Sequence, residues 1–280
     1  MASGNATVSS ADMAPRPGSA AGPTRWTLSA IGPVVLGPFV PLLIVWEVVA
    51  DLRIYPAYLF PGPSAVGVAF WELATSGGLW THVADSLLRA VLGFVVGVGI
   101  ALPLGLLMGI SRPIARYFSP LVIFFQAIPG LAWIPLVILW LGIGYKAVTF
   151  IIFISVFFPV LLNTIVGVRS IRATVIEAAR TLGASHLALV REIYIPGALP
   201  SIMAGFRLGF GFGWRALVAG EMIASSSGLG FMIFDARQSL RSDIVIVGMI
   251  MLGLVWLVLD WIVLRPIEHR TVERWGILNN

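Results

Sequence analysis

Six runs of about twenty apolar residues, separated by short polar stretches, constrain this chain more than any other feature. A segment crossing the hydrocarbon of a bilayer needs about 20 mostly apolar residues. The runs lie at about 31–50, 87–110, 118–141, 147–168, 199–224 and 244–264. They are continuous rather than alternating, and a spanning backbone must pair its polar groups internally, so they are helices and not barrel strands. Composition closes the soluble alternative: 58% of the 280 residues are hydrophobic and only 11% charged, against about 25% charged in soluble domains. The expected fold class is therefore an all-α polytopic membrane protein with six transmembrane helices. Its membrane domain covers 31–267, between a disordered cytoplasmic tail at 1–30, rich in Ala, Ser, Gly and Pro, and a cytoplasmic tail at 268–280. The first tail does not read as a cleavable signal, because no apolar run begins before Ile31.

The loops set the orientation, since positive charge stays on the cytoplasmic side. With the N-terminus inside, Arg16, Arg25, Arg112, Arg116, Arg169, Arg172, Arg180, Arg191, Arg265, Arg270 and Arg274 are cytoplasmic, which makes eleven. Arg53, Arg89, Lys146, Arg237 and Arg241 are outside, which makes five. Eleven against five predicts both termini inside. The net charge of +5 thus reads as membrane orientation and not as nucleic-acid binding.

Lys146 is the only lysine, and Ala147 follows it. A phosphate-cradling GxxxxGK[ST] loop is therefore absent, and the chain does not bind ATP by that route. It has no cysteine for a disulfide or thiolate site. His82, His186 and His269 are too scattered to suggest a metal cluster.

Pro103, Pro129, Pro135 and Pro159 fall inside the spans and should kink them. Small residues recur every fourth position at Gly93, Gly97, Ala101, Gly105 and Gly109, and again at Gly205, Gly209 and Gly213. Such ridges let helices approach closely in lipid, within the subunit or at a dimer seam. In the outer loop at 51–86, Pro63 and Ser64 open a surface helix to about Ala74, with Val66, Phe70 and Leu73 as its apolar stripe. The cytoplasmic loop at 169–198 reads as two short amphipathic helices about a Gly183 turn. Glu177 and Arg180 form an i,i+3 pair on the first, and Leu187, Val190, Ile193 and Tyr194 a stripe on the second. The residues alone leave it open whether this is a docking protrusion or a solvated linker.

The loop contains Glu177-Ala178-Ala179, Gly183, Ile193 and Pro196 at the spacing E-A-A-x3-G-x9-I-x-L-P, with Ile195 in place of the leucine. This resembles the signature of permease subunits of binding-protein-dependent ABC importers, the MetI-like fold. The likeness runs from about Leu59 to Ile267. Phe60-Pro61-Gly62-Pro63-Ser64 is similar to the family's segment ahead of the outer surface helix. Ile128–Leu136, Trp140–Gly144, Pro196–Ser201, Glu221 and Gly228–Met232 resemble its nitrate/taurine/sulfonate branch. The resemblance implies a homodimeric, multi-pass permease in the bacterial cytoplasmic (inner) membrane. It implies two ATPase subunits that bind ATP and Mg, a substrate-binding protein outside, and no cofactor on this chain. Glu177, Ala178, Ala179, Gly183, Ile193 and Pro196 would form the ATPase-coupling segment. The cargo the resemblance implies is a small anionic solute such as a sulfonate, taurine or nitrate, which permease motifs do not separate.

Ionisable residues inside spans are expensive and mark candidate sites, so Arg215, Arg207 and Glu221 are the candidates for the substrate path. Arg207 lies close enough to the cytosol to snorkel. Glu221 lies near the outer end, about 21 Å further along the same helix, so the two do not pair. Arg215 lies near the middle, where it serves either the substrate path or a structural pair with another span. Glu47 and Asp260 read as interfacial, and Gln126 and Asn163 as polar glue between helices. Two other classes are weaker. A stand-alone secondary carrier shows inverted repeats, absent here, and an intramembrane serine hydrolase needs a His within reach of a Ser, whereas all three His lie in loops or near span ends.

Overall fold

The computed structural model describes residues 39–266. The expected tails at 1–30 and 268–280, and residues 31–38 of the first run, lie outside the described residues. The chain divides after Trp46 into two compact units. Of the first, only residues 39–46 are described, as the start of helix α1 (Phe39–Asp51). The second begins at Glu47 and holds all the other described helices.

Every regular element among the described residues is helical. The expected surface helix, α2, runs Pro63–Thr75. Proline at its first turn needs no hydrogen-bond partner there, and the Glu47 carboxylate accepts the Ser64 amide at 3.0 Å. Its buried residues are Val66 and Ala69, while Phe70 is exposed. The inward stripe therefore follows i,i+3 spacing through Ala69 and not through Phe70 as expected.

Three long helices make the core: α3 (Gly78–Ile110), α6 (Tyr145–Arg169) and α8 (Ile195–Ala224). Helix α6 is the centre, and its row of β-branched residues, Ile152, Val156, Val160, Thr164 and Val168, is spaced four apart. The α3 ridge lies on that row: Gly93 on Ile152, Gly97 on Val156, Gly105 on Thr164, Gly109 on Val168. A Cβ at Gly93 would sit 2.5 Å from Ile152 Cγ2, so only glycine allows this approach. The second ridge packs on the same helix, with Gly205 on Asn163, Gly209 on Val160 and Gly213 on Val156. Both ridges thus pack within the subunit, as interlocked i±4 rows. The register also gives direction. Numbers rise together along α3 and α6, which run parallel, and oppositely along α6 and α8, which run antiparallel.

The third apolar run is not one helix. It comprises α4 (Arg112–Gln126), a 3-10 turn at Gly130–Trp133 and α5 (Ile134–Leu141), with the two halves bent by 85°. Pro129 at the break and Pro135 in the first turn of α5 remove the amides that would continue the helix. Pro103 and Pro159, by contrast, lie inside continuous helices. The last elements are α7 (Ala173–Thr181), α9 (Leu229–Gln238) and α10 (Ser242–Leu259), the last continued by a π turn, Asp260–Leu264. Among the described residues, four helices are long and apolar enough to cross a membrane, or five when the bent α4–α5 pair counts as one crossing.

Candidate functional site

The loop at 169–198 folds around Gly183. Helix α7 ends with the Ala184 amide donating to the Ala179 carbonyl and the Gly183 amide to the Arg180 carbonyl, both 3.0 Å. Gly183 has φ +85°. This is a Schellman termination, which needs a left-handed residue at that position. Ser185 then caps the next turn by accepting the Ala188 amide at 3.3 Å. The second expected helix is not separate. His186–Ala188 continues through a π turn, Leu189–Tyr194, directly into α8. The π turn brings residues five apart onto one face, so Leu189 and Tyr194 are buried while Leu187 is 74% exposed. The expected stripe therefore fails at Leu187.

Helix α7 turns Ile176 and Ala179 toward a small core of Val168, Leu189, Tyr194, Ala198 and Ile202. Its other side carries Glu177, Ala178 and Thr181, all exposed, and ends on Leu182, which is 88% exposed. Glu177 and Arg180 make no ion pair among the described residues, contrary to the expected i,i+3 contact. Ile193 and Pro196 are half-buried at the root of α8. The loop thus presents a short helix with small residues, a carboxylate and bare leucines, held from behind by its own core.

At the other end of α8, Glu221 is wholly buried. Arg89 Nη1 donates to it at 2.7 Å, Ser86 Oγ at 2.8–2.9 Å, and the Gly230 amide at 2.9 Å. Arg89 also donates to the Ser227 carbonyl and hydroxyl, at 2.8 and 2.6 Å. The Leu229 amide donates to Ser86, and the Gly228 amide to His82 Nδ1. One carboxylate thus joins α3, α8 and the N-terminus of α9, where the first amides otherwise lack partners. Gly228 (φ +105°) leaves room for it, since a Cβ there would overlap the carboxylate, and Gly230 lets α9 approach α8, since a Cβ there would lie 2.5 Å from the Val218 carbonyl oxygen. Arg89 is therefore not an outer loop charge, as the charge bias takes it to be. It is a buried residue of α3, which reduces the outer count from five to four. The usable sequence signal is a lone Arg and a lone Glu at the same end of two apolar runs.

The other two charges of α8 lie elsewhere. Arg207 faces Asp260 of the π turn after α10, 3.6 Å away, at the rim of an apolar cavity of about 180 Å³ that includes Phe94, Phe206 and Phe210. Arg215 is exposed and lines a cavity of about 590 Å³ where the broken α4–α5 span meets α6 and α8. Its walls are mostly apolar, with Gln126, Ser155 and Asn163 as the other polar side chains. Arg215 meets no carboxylate among the described residues; its guanidinium lies 5.9 Å from the Phe212 ring centre. Asn163 donates to the Pro159 carbonyl of its own helix at 2.8 Å. It is therefore not glue between helices, and its amide oxygen is left as an acceptor. The structure brings Arg215 together with Gln126 and Asn163, and keeps Arg207 and Glu221 in separate surroundings.

Residues 101–265 match the family model described as "Binding-protein-dependent transport system inner membrane component". The taurine transport system permease protein TauC of Escherichia coli is 36% identical over 230 residues, covering 80% of this chain and 84% of that protein. A putative aliphatic sulfonates transport permease, SsuC of Bacillus subtilis, is 37% identical over 210 residues, covering 75% and 76%. Among solved structures, an inward-facing MetNI methionine ABC transporter superposes with a TM-score of 0.51 at 22% identity, covering 69% of this chain and 95% of that one; this likeness concerns the fold. The chain therefore belongs to the inner membrane components of binding-protein-dependent transport systems, as a multi-pass, non-catalytic permease subunit of an ABC transporter.

Proposed function

We propose that the chain pairs with a second copy to form an import path for a small organic anion of the sulfonate or taurine type. A substrate-binding protein delivers the anion outside, and a separate ATPase subunit, carrying ATP and Mg, drives the cycle. The observation that carries this reading is the loop at 169–198, whose exposed α7 face and Schellman turn stand on a core of their own. Glu177, Ala178, Ala179 and Gly183 make the contact with the ATPase, and Ile193 and Pro196 join it to α8. Movement of the loop is then movement of the helix that bears Arg215.

Six spans with both termini inside fit the register. Because α3 and α6 run parallel, the chain must recross between them, which makes α4–α5 a crossing and not a re-entrant hairpin. With Arg89 removed, the charge bias becomes eleven against four. A charge exposed within a span faces a water-filled path or a partner subunit, not lipid. Arg215 therefore lines the path, whereas Glu221 and Arg207 hold its walls. The apolar walls suit a short carbon body, and the Asn163 oxygen suits a donor on it.

Gly183→Val tests the reading. A β-branched residue at φ +85° is strained, so the variant should insert normally but lose co-purification of the ATPase subunit and uptake together. Wild-type uptake would make the loop a mere linker. Single cysteines at Ser76 and Ser185, both exposed, should label from opposite sides in intact cells, Ser76 from outside. The reverse pattern would contradict the orientation.

A further inference from the structure

A second charged cavity lies beside the coupling loop, away from the path. It has a volume of about 610 Å³ and is lined by Arg112 and Arg116 of α4, Arg169 at the end of α6, Ser119, Ile176 of α7 and Tyr194. Among the described residues, no acidic side chain lines it. All three arginines are exposed; Arg169 donates to the Met108 carbonyl at 3.2 Å, and none meets a carboxylate among the described residues. Three like charges around one cavity repel one another unless an anion sits between them. Tyr194 is 7% exposed, and its hydroxyl makes no hydrogen bond among the described residues, which leaves a donor at the cavity wall. On the same face of α4 as Arg112 and Arg116, an exposed apolar row continues through Pro120 and Ile123, at i+8 and i+11 from Arg112. It leads from the arginines toward the span interior. A charged recess continuous with an apolar stripe matches an ionised head joined to an acyl chain better than it matches a free ion.

We propose that this cavity holds the phosphate of an anionic phospholipid, and so ties the root of the coupling helix to the membrane surface. That the lipid comes from the cytoplasmic leaflet rests on the orientation proposed above; the binding itself does not. Basic recesses between spans at that surface suit anionic head groups, and each nearby arginine contributes about fivefold in affinity.

Native mass spectrometry of the purified full chain, offered phosphatidylglycerol, phosphatidylcholine or inorganic phosphate, tests it. Phosphatidylglycerol should be retained over phosphatidylcholine by about tenfold or more, and Arg112→Gln/Arg116→Gln/Arg169→Gln should remove that preference. The Lys triple variant should keep most of it, which separates loss of charge from loss of fold. Equal retention of the two lipids by the wild type would overturn the proposal without any variant. Displacement by millimolar inorganic phosphate would make it a soluble-anion site and overturn the lipid assignment. So would a Gln variant that keeps phosphatidylglycerol but no longer co-purifies the ATPase subunit, since the arginines would then serve a protein face. The Ser76 and Ser185 labelling pattern fails or holds independently of all these outcomes.

Discussion

Glu221 and Arg215 are six residues apart on one helix and receive opposite treatment. The carboxylate is fully buried with partners from two other helices. The guanidinium is exposed at a cavity and meets no counter-charge among the described residues. In a low-dielectric span each charge is expensive unless paired or hydrated, and the two are handled differently, Glu221 by pairing and Arg215 by exposure at a cavity. The first uses a charge to fix helices relative to one another. The second leaves a charge available to something that arrives.

Breaking the paired end should have the largest effect on the fold. Glu221→Leu leaves Arg89 buried without its counter-ion, a change that costs about 3–5 kcal/mol. Thermal unfolding in detergent should show a marked fall, with low protein yield, and Arg89→Leu should match it. If either variant melts like wild type, the network is not what holds α3, α8 and α9 together. A smaller effect is expected from crowding the network without removing charge. Gly230→Ala places a methyl against the Val218 carbonyl oxygen and the Glu221 Cβ, and overpacking of this kind costs about 1–3 kcal/mol. A Gly230→Ala protein of unchanged stability would mean that α9 shifts freely on its seat. At the open end, Arg215→Gln removes no packed partner, so stability should change by less than about 0.5 kcal/mol.

The same contrast marks what is legible in the sequence. Long apolar runs, the two four-residue ridges and the coupling signature are local patterns, and α3, α6, α8 and the Gly183 turn follow them. Contacts between runs are not local. Arg89 reads as a loop charge because it stands at the third position of its run, and no local pattern links it to Glu221 at a separation of 132 residues. The approach of Arg207 to Asp260 is hidden for the same reason. The break in the third run is half legible: Pro129 and Pro135 announce a kink, but the 85° bend depends on the turn at Gly130–Trp133, which has an ordinary apolar sequence. The π turn before α8 leaves no mark, because it changes the period of a helix without changing its residues.

On the proposed reading, Arg215 lines the solute's path while the coupling loop transmits the work of another subunit. Uptake and ATP hydrolysis measured together in proteoliposomes, with permease, ATPase and binding protein present, test this most directly. A hydrogen bond to a charged group contributes about 1.5–3 kcal/mol, so Arg215→Gln should lower sulfonate uptake by about tenfold or more. Binding-protein-stimulated hydrolysis should persist in the same vesicles. Unchanged uptake in a fully assembled Arg215→Gln transporter would contradict that role for Arg215.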